Sequence, residues 1–159
     1  MKRRRADYLT DPARLAAVRA SGLLGLVRAR LQALTVQARF QLDADAAQVN
    51  VVDGELLHHA AASPPASAPT PTDPAETSGC RVVVEVGDVV AVDDTATDAA
   101  WCDLPWAGTW RGYLGAPVRY DGETVGSFCV LTRQPREWTD QDREALRALA
   151  VRALTSTST

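Results

Sequence analysis

The residues of this chain that could do chemistry are three cysteines, one adjacent histidine pair, a run of aspartates and a cluster of tryptophans. Cys80, Cys102 and Cys129 could each supply a thiolate, but they are too few and too scattered for a disulfide framework. His58 and His59 are the only histidines. Adjacent residues on a strand point to opposite faces, so these two cannot hold one metal ion together and read as decoration of an outer strand. No CxxC, HExxH, GxGxxG or P-loop pattern occurs, and the sequence names no cofactor. Asp93, Asp94 and Asp98 could order a cationic or hydroxyl-bearing ligand; the same run also serves as turn chemistry, with aspartates capping a short helix and facing water. Trp101, Trp106 and Trp110 fall within ten residues. Each would bury ~150–250 Å², either plugging its loop onto a sheet or walling an aromatic cavity. Arg111 beside them could meet an anion or sit exposed at a strand end. Cys129, set among Val125 and Leu131, reads as a small core residue.

These side chains belong to a chain of 159 residues, a length that fits one domain. Hydrophobic residues make up 46% and charged residues 23%, which excludes a wholly disordered or fibrous chain. The net charge of -3 argues against binding nucleic acid by phosphate neutralisation. Lys2, Arg3, Arg4 and Arg5 then read as a solvated terminus. No apolar run approaches the ~20 residues of a membrane span. No apolar stretch follows MKRRR as a secretory signal requires, so the expected location is the cytoplasm.

The elements follow from periodicity. Asp11-Pro12 opens a helix over 13–21, ended by Gly22. Residues 23–42 place Leu24, Val27, Leu31, Leu34, Ala38 and Leu42 three and four apart, predicting an amphipathic helix of about five turns. Alternation from Ala47 to Val52, the pair Asp53-Gly54 and then Leu56-Leu57 predict a β-hairpin. Residues 63–74 hold five of the nine prolines and no bulky apolar residue, predicting an exposed mobile loop. A helix over 73–87, a strand over 89–92, a tryptophan-bearing loop and a second hairpin about Asp121-Gly122 come next. The last helix starts at Thr139, with Asp142 completing a variant capping box. This order argues α+β: a central antiparallel sheet of five to six strands, with the N- and C-terminal helices together on one face. The domain is bounded at 11–154, with a basic tail at 1–10 and a disordered tail at 155–159.

The segments AQVNVVDGELL, SGC and VVAVDDTATD, and above all YLGAPVRYDGETVGSFCVLTRQPREWTDQDREALRALA, resemble a bacterial signalling GAF domain. The opening DPARLAAVRASGLL resembles the helix that leads into such domains; the Pro-rich loop departs from the pattern. The resemblance implies a ligand pocket on the sheet face opposite the terminal helices. It would be roofed by the mid-domain helix, with Cys80 and Val84, and by the loop carrying Asp93, Asp94, Trp101, Trp106 and Trp110.

Parity around the Asp121-Gly122 turn pairs Val118 with Val125, Ala116 with Ser127 and Leu114 with Cys129. That set is assigned to the helix side. Tyr113, Gly115 and Pro117, with Gly126, Phe128 and Val130, are assigned to the pocket, where Gly115 and Gly126 would let a ligand approach the backbone. The expected protein is a non-enzymatic sensor of an unidentified small molecule. It would be a homodimer through its terminal helices and signal across that interface or through a partner protein, since no output segment follows the last helix. A ligand-free dimerisation module is the alternative.

The chain is also similar to the free methionine-R-sulfoxide reductases, GAF-fold enzymes with a cysteine opening the same helix and a catalytic one in the same loop. Carried over, Cys102 would be the nucleophile and Cys80 the resolving thiol. The acidic residues with which that family holds its substrate are missing, because Tyr113, Thr132 and Arg133 stand in their places. Bilin-binding GAF domains usually place a histidine after the attachment cysteine, whereas Asp103 follows Cys102 and Arg81 follows Cys80.

Overall fold

Asp121 and Gly122 adopt φ of 53° and 79°, the pair of left-handed conformations that a tight hairpin turn demands and that Asp-Gly supplies. In the computed structural model, which describes residues 6–23 and 28–155, this turn joins two long strands at one side of a six-stranded sheet. In chain order the elements are α1 (Pro12–Ala20), α2 (Arg28–Gln41), β1 (Ala46–Asp53), β2 (Leu56–Ser63) and β3 (Thr72–Pro74), followed by α3 (Gly79–Val86), β4 (Val90–Val92), β5 (Gly112–Tyr120), β6 (Glu123–Thr132) and α4 (Asp140–Thr155). All pairings are antiparallel, and the spatial order is β3-β2-β1-β6-β5-β4. The α+β architecture therefore matches the expectation.

Local chemistry sets the ends of the helices. Asp11 accepts the Arg14 amide at 3.2 Å and Pro12 occupies the first turn of α1. Thr139 and Asp142 form a reciprocal capping box at α4, each side chain accepting the other's amide at 3.1 Å. Helices α1, α2 and α4 bury Val18, Leu31, Leu34, Leu146 and Leu149 against one sheet face. Helix α3 and the loop after β4 cover the other face.

Four expectations are corrected. The helix predicted over 73–87 is shorter, because Pro74 sits in β3 and the N-cap at Ser78, accepting from the Arg81 amide at 3.3 Å, starts α3 only at Gly79. The Pro-rich segment is no free loop: Thr72–Pro74 pairs with β2 as a short edge strand, a place where proline's missing donor costs nothing. The first hairpin turns on Gly54-Glu55, one residue beyond the predicted pair, since Asp53 still pairs with Leu56. Finally, residues 6–10 form a 3₁₀ turn where a tail was expected. Leu24, Val27, the basic residues 2–5 and residues 156–159 lie outside the described residues.

That N-terminal turn has a structural task. Register slips between Val118 and Arg119, which face Gly126 and Thr124, so Val125 is the extra residue of a β-bulge. A bulge frees backbone groups from the ladder. The Thr124 amide donates to Tyr8 Oη at 3.1 Å, and the Thr124 carbonyl accepts from Arg14 Nη1 at 3.3 Å. Arg14 is fully buried and also donates to the Leu9 carbonyl at 2.7 Å. Burial pushes its guanidinium below the ordinary arginine value.

The bulge inverts the parity of β6 beyond Val125. Leu114, Ala116 and Val118 face the helices and Tyr113 faces away, as expected. Phe128 and Val130, however, pack with the helices, while Cys129 and Leu131 face the opposite layer. The assignment of Phe128 to the pocket and of Cys129 to the helix side is therefore overturned.

Candidate functional site

The strand face away from the terminal helices carries polar side chains where an ordinary core would carry valines. Gln48 and Asn50 alternate with Val49 and Val51 on β1, so both amides project toward α3, and both are buried. A buried amide needs partners. Asn50 Nδ2 donates to Gln48 Oε1 at 3.1 Å and to Cys80 Sγ at 3.2 Å, and lies 3.8 Å from Cys129 Sγ. Its Oδ1 meets His59 Nδ1 at 2.7 Å, and the other ring nitrogen meets Asp73 Oδ2 at 2.6 Å. Both imidazole nitrogens thus face oxygens. Gln48 Nε2 reaches on to the Ser67 carbonyl at 3.0 Å.

Cys80, in the first turn of α3, joins this network from above. Ser127 Oγ lies 2.8 Å from its sulfur and Tyr113 Oη 3.9 Å. A hydrogen bond from the Cys129 thiol, supported by those from Ser127, Asn50 and Tyr113, outweighs burial and holds Cys80 down at about 6. Cys129 is pushed well above its ordinary value as the donor of the same bond, with burial acting alongside. Burial chiefly raises Tyr113 too.

The aromatic residues close the site. Trp101 and Trp106 flank the Tyr113 ring at centroid distances of 5.0 and 6.1 Å, and Trp106 Nε1 is anchored on the Thr77 carbonyl at 2.7 Å. Gly79 permits this packing, since a Cβ there would lie 2.8 Å from both the Trp101 and Tyr113 rings. What is left is a cavity of about 150 Å³ lined by Gln48, Asn50, His59, Cys80, Cys129 and Tyr113, among others. That is well under the ~300–1,000 Å³ of drug-sized sites, room for a small molecule only.

Of the residues singled out in the sequence, Cys80, Trp106, Trp110 and Tyr113 line this cavity. Trp101 is buried behind Tyr113. Val84 packs in the core of the same layer, and Phe128 lies on the far side of the sheet. The space beside Gly115 is occupied by Tyr113 and Val83, each within 3 Å of where a Cβ would stand. Gly126 opens no room for a ligand either, because the Asn50 carbonyl fills it. Asp94 pairs with Arg111 at 2.6 Å, an interaction that lowers the carboxyl and raises the guanidinium. Asp93 receives the Arg136 amide on its carbonyl and the Trp138 amide on its side chain. Both aspartates brace loops outside the cavity. Cys102 is exposed and does not line the cavity either, so the Cys80–Cys102 pairing implied by the reductase likeness is not assembled.

The sequence reading missed Gln48, Asn50, His59, Asp73, Ser127 and Cys129. The available signal was two amides alternating with valines on a strand that also had to be buried.

A six-stranded antiparallel sheet with helices on one face and a roofed cavity on the other defines the class of α+β domain. The family model for the GAF domain matches residues 27–155, and the chain belongs to this family of sensing and regulatory domains. Solved structures share the fold. The GAF domain of an Acinetobacter phosphoenolpyruvate-protein phosphotransferase is 16% identical, with a TM-score of 0.70 over 92% of this chain and 93% of that one. The type II free methionine-R-sulfoxide reductase of Thermoplasma acidophilum is 17% identical, with a TM-score of 0.66 over 82% and 91%. The blue-light absorbing form of the PixJ GAF domain of Thermosynechococcus elongatus is 19% identical, with a TM-score of 0.65 over 84% and 86%. No curated protein matches the chain. Among the described residues no helix is long and apolar enough to cross a membrane.

Proposed function

We propose that this chain is a non-enzymatic sensing or regulatory GAF domain of the cytoplasm, which binds a small polar molecule in the cavity beneath α3. The observation that supports it is the convergence of two amides, an imidazole, a phenol and two thiols on a space of about 150 Å³. Such groups select a ligand of a few non-hydrogen atoms with its own donors and acceptors, held by hydrogen bonds to largely buried partners. Native mass spectrometry of the purified protein is expected to show a retained small-molecule adduct, lost on denaturation. In the Gln48→Ala variant the adduct should fall at least about fivefold, one hydrogen bond to a buried partner contributing ~1 kcal/mol or more. A protein that carries no adduct, and whose Trp106 and Trp110 fluorescence ignores added metabolite pools, removes the sensing reading.

The output route is a homodimer built on the terminal helices, which could also present a surface to a signalling partner. Helix α2 has two apolar stripes. Leu31, Leu34 and Ala38 face the sheet, while Ala29, Ala33, Val36 and Phe40 form a second stripe at i, i+4, i+7 and i+11 that faces outward. Phe40 is 79% exposed, and Val151 on the adjacent α4 is 64% exposed. Arg152 Nη1 bonds Gln37 Oε1 at 3.1 Å, binding the two helices into one surface. A self-complementary patch of this kind suits a two-fold interface. Phe40→Glu is expected to convert a dimer to a monomer in sedimentation velocity, with the thermal midpoint of the monomeric fold hardly moved. A wild-type protein that sediments as a monomer at tens of micromolar would remove the dimer from the proposal.

A further inference from the structure

The geometry points to a redox site: Cys80 and Cys129 form a reversible disulfide in response to a hydroperoxide that enters the cavity. This goes beyond ligand sensing, and it uses a pair of thiols that the sequence placed on opposite faces of the sheet. Both sulfurs line the cavity, neither is in a disulfide, and each lies within reach of the same Asn50 amide, at 3.2 and 3.8 Å. The arrangement separates the roles: Cys80 collects donors from Ser127 and Asn50, which favour its thiolate, whereas the Cys129 thiol is pushed upward. Cys102, exposed on its loop, has no such donors, its sulfur lying only near the Ala99 carbonyl and the Asp103 carboxylate.

The chemistry balances with the peroxide as the sole oxidant. The Cys80 thiolate attacks one peroxide oxygen, the O–O bond breaks, and the departing hydroxide or alkoxide takes up a proton to leave as water or alcohol. Cys80 is then a sulfenic acid. The Cys129 sulfur attacks it, the S–O bond breaks, and the Cys129 proton leaves with the hydroxyl as a second water. Two thiols have lost two electrons and two protons to one peroxide. Cys80 stands on α3 and Cys129 in the middle of β6, so the new bond ties the cavity roof to its floor and withdraws Cys80 from Ser127 and Asn50.

The test uses the full chain carrying Cys102→Ser, which removes the exposed thiol. One equivalent of hydrogen peroxide is expected to lower the intact mass by about 2 Da, with a Cys80–Cys129 linked peptide on digestion and full reversal by dithiothreitol. Adding Cys129→Ser should arrest the reaction at Cys80 sulfenic acid, trapped by dimedone; Cys129→Ala serves equally if the serine variant does not fold. An unchanged mass overturns the inference. So does a gain of about 16 or 32 Da at Cys80 with Cys129 present, or a disulfide between two chains. The readout needs no bound ligand, so a cavity that retains no small molecule leaves this inference standing.

Discussion

Replacing Gly126 by alanine is expected to cost the fold about 3 kcal/mol or more, at the upper end of what overpacking a core exacts. A Cβ at this position would lie 2.0 Å from the Asn50 carbonyl oxygen and 3.0 Å from both the Asn50 carbonyl carbon and Val51 Cα. All three atoms are backbone, in the neighbouring strand β1, so no side-chain rotation relieves the overlap. Strands β1 and β6 would have to part where the sheet is paired on both sides. For a chain of this size a loss of that order lowers the thermal midpoint by roughly 10 °C. The informative control is Gly122→Ala. Its Cβ would meet nothing within 4 Å, so only the left-handed φ of 79° is penalised, by ~1–2 kcal/mol. Thermal melts of the two variants decide the matter. If alanine at 126 is the milder change, β1 and β6 do not approach as described, and with that register goes the placement of Ser127 beside Cys80 and of Cys129 in the cavity.

The same stretch of β6 shows where sequence reasoning stopped. Asp121-Gly122, the Thr139–Asp142 box and the parity of β5 were legible because each rests on residues within a turn or two of one another. The parity of β6 was not. Val125 to Leu131 is apolar or small at nearly every position, so a period of two fits either face, and nothing within the strand announces the extra residue at Val125. The bulge is supported by Tyr8, in a segment that reads as a tail, and by Arg14 on α1, each more than a hundred residues away. The cavity was half legible for a related reason. Its aromatic wall comes from one dense cluster, but its polar network draws Gln48, Asn50, His59, Asp73, Cys80 and Ser127 from five separate segments. Only the fold brings them together. His59 illustrates this: beside His58 it reads as an outer-strand residue, yet the pairing of β3 outside β2 sets Asp73 against its ring.

Asn50 is the hub of that network, and Asn50→Asp is expected to slow alkylation of Cys80 at pH 7 by about tenfold, measured with iodoacetamide in the Cys102→Ser background. The substitution keeps the shape and keeps an oxygen for His59 Nδ1. It removes the donor to the sulfurs and sets a carboxylate beside a thiolate. Cys80 now sits at about 6, so most of it is thiolate at neutral pH. Losing one donor and gaining a like charge returns it toward the free-thiol value of ~8.5 or beyond. Asn50→Ala removes the donor without the charge and should slow alkylation less, although it costs stability by leaving Gln48 Oε1 and His59 Nδ1 without this partner. A purely structural Asn50 would give the opposite ranking. The pH dependence of stability carries the same signature. Cys80 titrates lower in the folded chain than in the unfolded one, so its contribution is complete above ~8.5 and is lost as pH falls toward about 6. Cys129 and Tyr113, both raised, contribute with the opposite sign and lose stability only as pH climbs through their elevated values. Denaturant midpoints should therefore fall between pH 8 and 6 in the wild type and change less over that interval in Asn50→Asp. Equal slopes in the two proteins would mean that the Asn50 amide does not stabilise the Cys80 thiolate.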